Sequence, residues 1–160
     1  MIGSNPNDLV KVLRGGGLMC RTGILLIPTH ILGRETSIAA EYNLDSLDYV
    51  SWKEKYLLPG GRFLGLNSEK LLGDMDRLLQ EPSHTDALLI YNLDLALAYL
   101  SYRERNSFWR FMRTNFRKRP KSLVLALPST ATKLLPYDEE RVIWYKEGRL
   151  AIFEEFGRAT

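Results

Sequence analysis

The sequence predicts an α/β fold, a three-layer sandwich around a mostly parallel central sheet, and three observations carry that expectation. Short unbroken apolar runs, "TGILLIP", "ALLI" and "KSLVLALP", have the length of strands covered on both faces. Segments with apolar residues at helical spacing separate them. Strand, helix and strand in that order imply parallel pairs joined by right-handed crossovers. At 160 residues the chain suits one domain, residues 1–160, with a substantial core.

Each element has its own signal. "PNDLVKVLR" reads as a helix over residues 6–14, capped by Asn7 or Asp8 and ended by Gly15, Gly16 and Gly17. "TGILLIP" is the first strand, a helix over 36–42 follows, and "LDYVSW" is the second strand. Residues 53–67 read as irregular, with Pro59, Gly60 and Gly61 marking a loop. Trp52, Tyr56 and Phe63 make that segment either a binding loop or a lid over the core. From Ser68 to Gln80, Leu71, Leu72, Met75, Leu78 and Leu79 recur at helical spacing behind a Ser68 cap. "DALLI" begins the third strand, which turns near Asn92, and a long helix covers 102–116. "KSLVLALP" is the fourth strand, and "RVIWYKEGRLAIF" reads as a fifth strand or a hairpin turning at Glu147 and Gly148.

Composition excludes several classes of protein. With 45% hydrophobic and 26% charged residues and no low-complexity tract, the chain is globular in type. No apolar run approaches the roughly 20 residues of a membrane helix, and "MIGSNPNDLV" lacks the regions of a signal peptide. A cytoplasmic location without membrane contact is therefore expected. Cys20 is the single cysteine, and His30 and His84 stand far apart, so no metal-ligand spacing is present. A net charge of +3 and a pI near 9.0 permit anionic partners without demanding them.

The stretch "GILLIPTHILGRETSIAAEY" joins a buried strand, a bend and a helix start. This order of elements resembles the additional-strand P-loop NTPases, the superfamily of AAA+ and RecA-like ATPases, over roughly residues 20–136. That resemblance implies a phosphate loop after the first strand, paired acids after the third and a polar sensor after the fourth. A phosphate loop needs converging backbone N–H groups, a lysine for charge and a hydroxyl for magnesium. Aligned on that spacing, Pro28 replaces the first glycine, Gly33 keeps the second, Arg34 replaces the lysine, and Glu35 stands where the hydroxyl belongs. Thr36 rescues the hydroxyl only by a register shift. After "ALLI" come Tyr91 and Asn92 in place of two acids, with Asp94 either a helix cap or a displaced carboxylate. Ser129 and Thr130 occupy the sensor position, and Arg141 and Arg149 stand either as imitations of a sensor arginine or as surface charges. Loss of the lysine, the hydroxyl and both acids argues against hydrolysis. If a nucleotide such as ATP binds, Gly33, Arg34 and Thr36 are the residues to hold it.

The second informative stretch is "YRERNSFWRFMRTNFRKRPK", residues 102–121. At 100° per residue, Arg103, Asn106, Arg110, Arg113 and Arg117 fall within an arc of about 80°, opposite Phe108, Phe111, Met112 and Phe116. Lys118, Arg119 and Lys121 extend the charge beyond the helix. Arginine forks match phosphate and carboxylate geometry, so the ridge suits an acidic protein surface or the backbone of DNA or RNA. A solvated face is the bland alternative. Trp109 falls near the boundary, either core or rim, and Arg105 falls on the apolar side, where it must pair with an acid or leave the core.

Three functional expectations follow. The leading one is a non-catalytic subunit or adaptor of a larger, DNA-handling assembly; in size and pattern the chain resembles small accessory P-loop-like proteins encoded with bacterial anti-phage systems such as BREX. The second is a divergent nucleotide-binding ATPase or switch. The third is a direct nucleic-acid binder.

Overall fold

The computed structural model describes residues 5–55, 66–117 and 120–153 of the chain. Five parallel strands form one sheet in the order β2-β3-β4-β1-β5. They are β1 (Thr22–Ile27), β2 (Asp45–Asp48), β3 (Ala87–Tyr91), β4 (Ser122–Pro128) and β5 (Leu150–Ile152). Side chains alternate across β1, so Ile24 and Leu26 enter one core while Leu25 and Ile27 enter the other. The same alternation splits Leu123, Leu125 and Leu127 of β4 from Val124 and Ala126. Burial on both faces is why these strands read as continuous apolar runs.

Helices cover both faces, making three layers. Helices α1 (Pro6–Arg14) and α2 (Glu35–Glu41) place Leu9, Leu13, Ile38 and Ala39 against one face. The close approach of α1 uses Gly23, where a Cβ would come within 2.6 Å of the Leu9 Cδ1. The other face carries α3 (Tyr49–Glu54), α4 (Ser68–Leu78), α5 (Asp94–Tyr99), α6 (Tyr102–Thr114) and α7 (Asp138–Lys146). Their buried Trp52, Met75, Leu97, Trp109 and Trp144 build the larger core.

Several elements differ from expectation. The second strand is Asp45–Asp48, and most of "LDYVSW" is helix α3. Asp48 explains the switch: its carboxylate accepts from the N–H groups of Val50 and Ser51 at 3.0 and 3.3 Å, and Tyr49 and Trp52 then share one buried helical face. "RVIWYK" belongs to helix α7, and only the segment after Gly148 is strand, parallel to β1 and not a hairpin. The β-branched Val142 and Ile143 that suggested a strand are 48% and 37% exposed, whereas Glu140 and Trp144, one turn apart, are buried. Caps shift by small steps. Asn5 caps α1 by accepting from Asp8 N–H, and Asn67 in place of Ser68 caps α4. Most of the expected 53–67 loop lies outside the described residues, while Lys53 and Glu54 close α3.

Candidate functional site

Because the strands are parallel, the carboxyl ends of β1, β3 and β4 meet at one edge of the sheet. The chain leaves β1 for α2 on one face and β3 for α5 on the other, so a crevice opens between them, where α/β sheets commonly bind ligands. A cleft of about 230 Å³ occupies it. Ile27, Leu32 and Gly33 line it from the β1 side, Tyr91, Asn92 and Asp94 from β3, and Ala126, Leu127 and Pro128 from β4. Glu35 completes the lining and is only 7% exposed.

The bend between β1 and α2 is folded on itself. Residues Thr29–Ile31 form a 3-10 turn. The N–H groups of Ile31, Leu32 and Arg34 donate to the carbonyls of Pro28, Thr29 and Ile31 at 3.1, 3.2 and 3.2 Å. Those donors are consumed inside the loop instead of converging on an anion. Gly33 takes φ +96°, a left-handed conformation natural only to glycine, and Asn92 at φ 62° makes the sharp exit from β3. Of the three residues expected to hold a nucleotide, Gly33 lines the cleft; Arg34 and Thr36 are exposed and do not. The cleft therefore gathers two carboxylates, Glu35 and Asp94, where a triphosphate would need cations.

The sensor-like positions resolve into structural roles. Arg149 is buried at 2% exposure, which excludes a surface charge. Its guanidinium donates to the Thr22 carbonyl and hydroxyl at 2.8 and 2.6 Å, pairs with Glu147 at 2.8 Å and lies 4.5 Å over the Trp144 ring. Burial pulls its pKa down and Glu147 pulls it back up. Arg141 donates to the Pro136 carbonyl at 3.2 Å and approaches Asp138 at 3.7 Å.

The second feature is a groove of about 560 Å³ along the exposed side of α6. Among the described residues, Tyr102, Arg103, Asn106, Arg110 and Phe111 line it, with Ser107 and Asn115. Ser101 starts the helix by accepting from Glu104 N–H at 3.2 Å. Arg103 is exposed, and among the described residues Arg110 reaches the Tyr137 hydroxyl, at 3.3 Å. Arg117 is exposed and donates to the Thr114 carbonyl at 3.2 Å.

Arg113 departs from the expected ridge. It is forked onto Glu140, a carboxylate with 2% side-chain exposure, through Nε and through Nη2 at 3.3 Å. That bond raises the Arg113 pKa against the effect of its burial. Arg105 leaves the core by capping α5, donating to the Leu97 and Leu100 carbonyls at 3.1 and 2.6 Å. Trp109 is wholly buried and donates its indole N–H to the Leu134 carbonyl at 2.8 Å, so it is core and not rim. Lys121 turns away to the Glu81 carbonyl. Lys118 and Arg119 lie outside the described residues.

Comparison of the chain with protein-family models, curated proteins and solved structures finds no match. Sequence reasoning gave Tyr102 no role and set Phe111 on the apolar side, because an aromatic at helical spacing reads as core. It also missed Glu140, which stands just before the segment read as a fifth strand or a hairpin.

Proposed function

We propose that the chain is a non-catalytic, P-loop-like subunit or adaptor of a larger assembly and holds its partner through the α6 groove. The observation that carries this reading is the groove itself, where Arg103 and Arg110 form no ion pair among the described residues and stand beside the exposed Tyr102 and Phe111. Arginine and tyrosine together, half apolar and rich in donors, are the composition of strong interface anchors. The P-loop-like part of the reading is supported by β4 standing between β1 and β3, an added strand between the phosphate-loop and acid-bearing positions. The lack of catalytic function is supported by Glu35 at the hydroxyl position and by Tyr91 and Asn92 at the acid positions. The reading includes a cytoplasmic setting and a DNA-handling or phage-defence assembly. Among the described residues no helix is long and apolar enough to cross a membrane.

Direct nucleic-acid binding is the second reading, favoured by the alternation of arginines with exposed aromatics, which suits phosphate contact plus base stacking. One experiment separates the two. The tagged chain and a variant carrying Arg103→Glu and Arg110→Glu are purified from the native host, and both are tested on duplex and single-stranded DNA at rising salt. Under the adaptor reading a defined protein partner copurifies with the wild type and is lost from the variant, and DNA retention is weak and unaffected. Salt-steep DNA retention abolished by the substitutions transfers the case to nucleic acid. Partners that persist after charge reversal overturn both.

A further inference from the structure

The cleft at the sheet edge has a charge opposite to the one its position suggests. Glu35 is more than nine-tenths buried and lines the cleft. Among the described residues its carboxylate has no hydrogen-bond or ion-pair partner, and the same holds for Asp94 and Asn92 across the cleft. The carboxylate oxygens still touch solvent, and a ligand that brings positive charge to them gains charge-assisted hydrogen bonds on an otherwise buried residue. Ile27, Leu32, Ala126 and Leu127 form the apolar part of the walls. The volume of about 230 Å³ is several times that of one water molecule.

We propose that this cleft binds an organic cation, an alkylated guanidinium or ammonium, whose charged head rests on Glu35 and Asp94 while its stem packs on Leu32 and Leu127. A triphosphate is disfavoured by like charge. A metal ion is not favoured by the donor set, because among the described residues no three carboxylate, imidazole or thiol groups come together. Asn92, held at the exit of β3 by its left-handed backbone, adds a carbonyl acceptor for a planar guanidinium. The site is independent of the α6 groove, so its failure leaves the partner reading intact. The cation is either a free small molecule or the side chain of an arginine or lysine on another protein.

The test is calorimetric titration of the full chain with n-butylguanidinium at fixed ionic strength, with the neutral isostere n-butylurea as control. Saturable one-to-one binding with Kd on the order of 1 mM is expected for a ligand this small, with butylurea not binding. Glu35→Gln and Asp94→Asn should each weaken binding by about tenfold or more, since each removes a charged acceptor. Arg103→Glu should leave it unchanged. Asp94, half-buried at the first turn of α5, keeps the test open if the Glu35 variant does not fold. A capped Ala-Arg-Ala peptide that binds as well as butylguanidinium assigns the cation to a protein side chain; exclusion of the peptide assigns a small molecule. Equal binding of butylurea, no saturation by the wild type, or undiminished binding by folded Asp94→Asn overturns the proposal.

Discussion

Arg113 and Arg103 sit on one helix ten residues apart and illustrate how differently two arginines act. Arg113 is 17% exposed in its side chain and holds the carboxylate of Glu140, itself nearly sealed from water. Arg103 projects into the groove and holds no acid among the described residues. Removing Arg113 strands a buried charge, so Arg113→Ala should lower unfolding free energy by about 3–5 kcal/mol. Arg103→Ala should stay within about 0.5 kcal/mol of the parent. Urea unfolding of the two variants checks both, and equal losses would show that the Glu140 pair carries no special weight. The roles were not separable in the sequence, because helical periodicity groups residues by angle and says nothing of which helix packs alongside. Glu140 comes from α7, distant in sequence from α6.

Among the elements, α3 and α4 are joined through Asp74. Its Oδ2 accepts from the Tyr49 hydroxyl and the Lys53 ammonium, each at 2.7 Å, and both Asp74 and Tyr49 are buried. Burial, followed by the charge and hydrogen bond of Asp74, pushes the Tyr49 phenol far above its ordinary value. The folded state thus keeps a proton that the unfolded chain releases near pH 10. The stability from this proton is fully present below about pH 10 and falls as pH rises beyond it. Tyr49→Phe should cost about 1–2 kcal/mol at pH 8 and lack this alkaline loss. Urea midpoints for both proteins from neutral to strongly alkaline pH test it, and parallel curves would remove Tyr49 from the explanation. Nothing in "LDYVSW" announces this contact. The stretch reads as a strand, and the helix exists because Asp48 caps it and because α4 offers Asp74 to Tyr49 and Lys53.

At the level of the entire protein, Arg149 binds the first strand to the last segment. It joins Thr22 of β1, the Arg113 carbonyl of α6 at 3.3 Å, Glu147 after α7 and the Trp144 ring. Arg149→Met keeps the stem but leaves the Thr22 and Arg113 carbonyls without this donor. A loss of about 2–4 kcal/mol is expected, with unfolding still a single transition. Calorimetry checks this, and an unchanged transition would mean that packing on Trp144 alone suffices. Much of the architecture was legible beforehand: β1, β3 and β4, the helices over 6–14, 68–78 and 102–114, and the parallel α/β class followed from apolar runs and periodicity. These signals are local, because a strand buried on both faces is apolar throughout and an amphipathic helix repeats every 3.6 residues. The bounds of β2 and the helix α7 were not legible, since Asp45–Asp48 carries no apolar run and the exposed Val142 and Ile143 imitate a strand, while β5 was legible only as the arm after Gly148. The departures from a phosphate loop were visible in the residues themselves. That Glu35 and Asp94 face one cleft, that Arg113 is neutralised and that Arg149 is buried depend on elements far apart in the chain. Burial and pairing belong to the packed surfaces, and only the assembled sheet and its two helical layers bring those surfaces together.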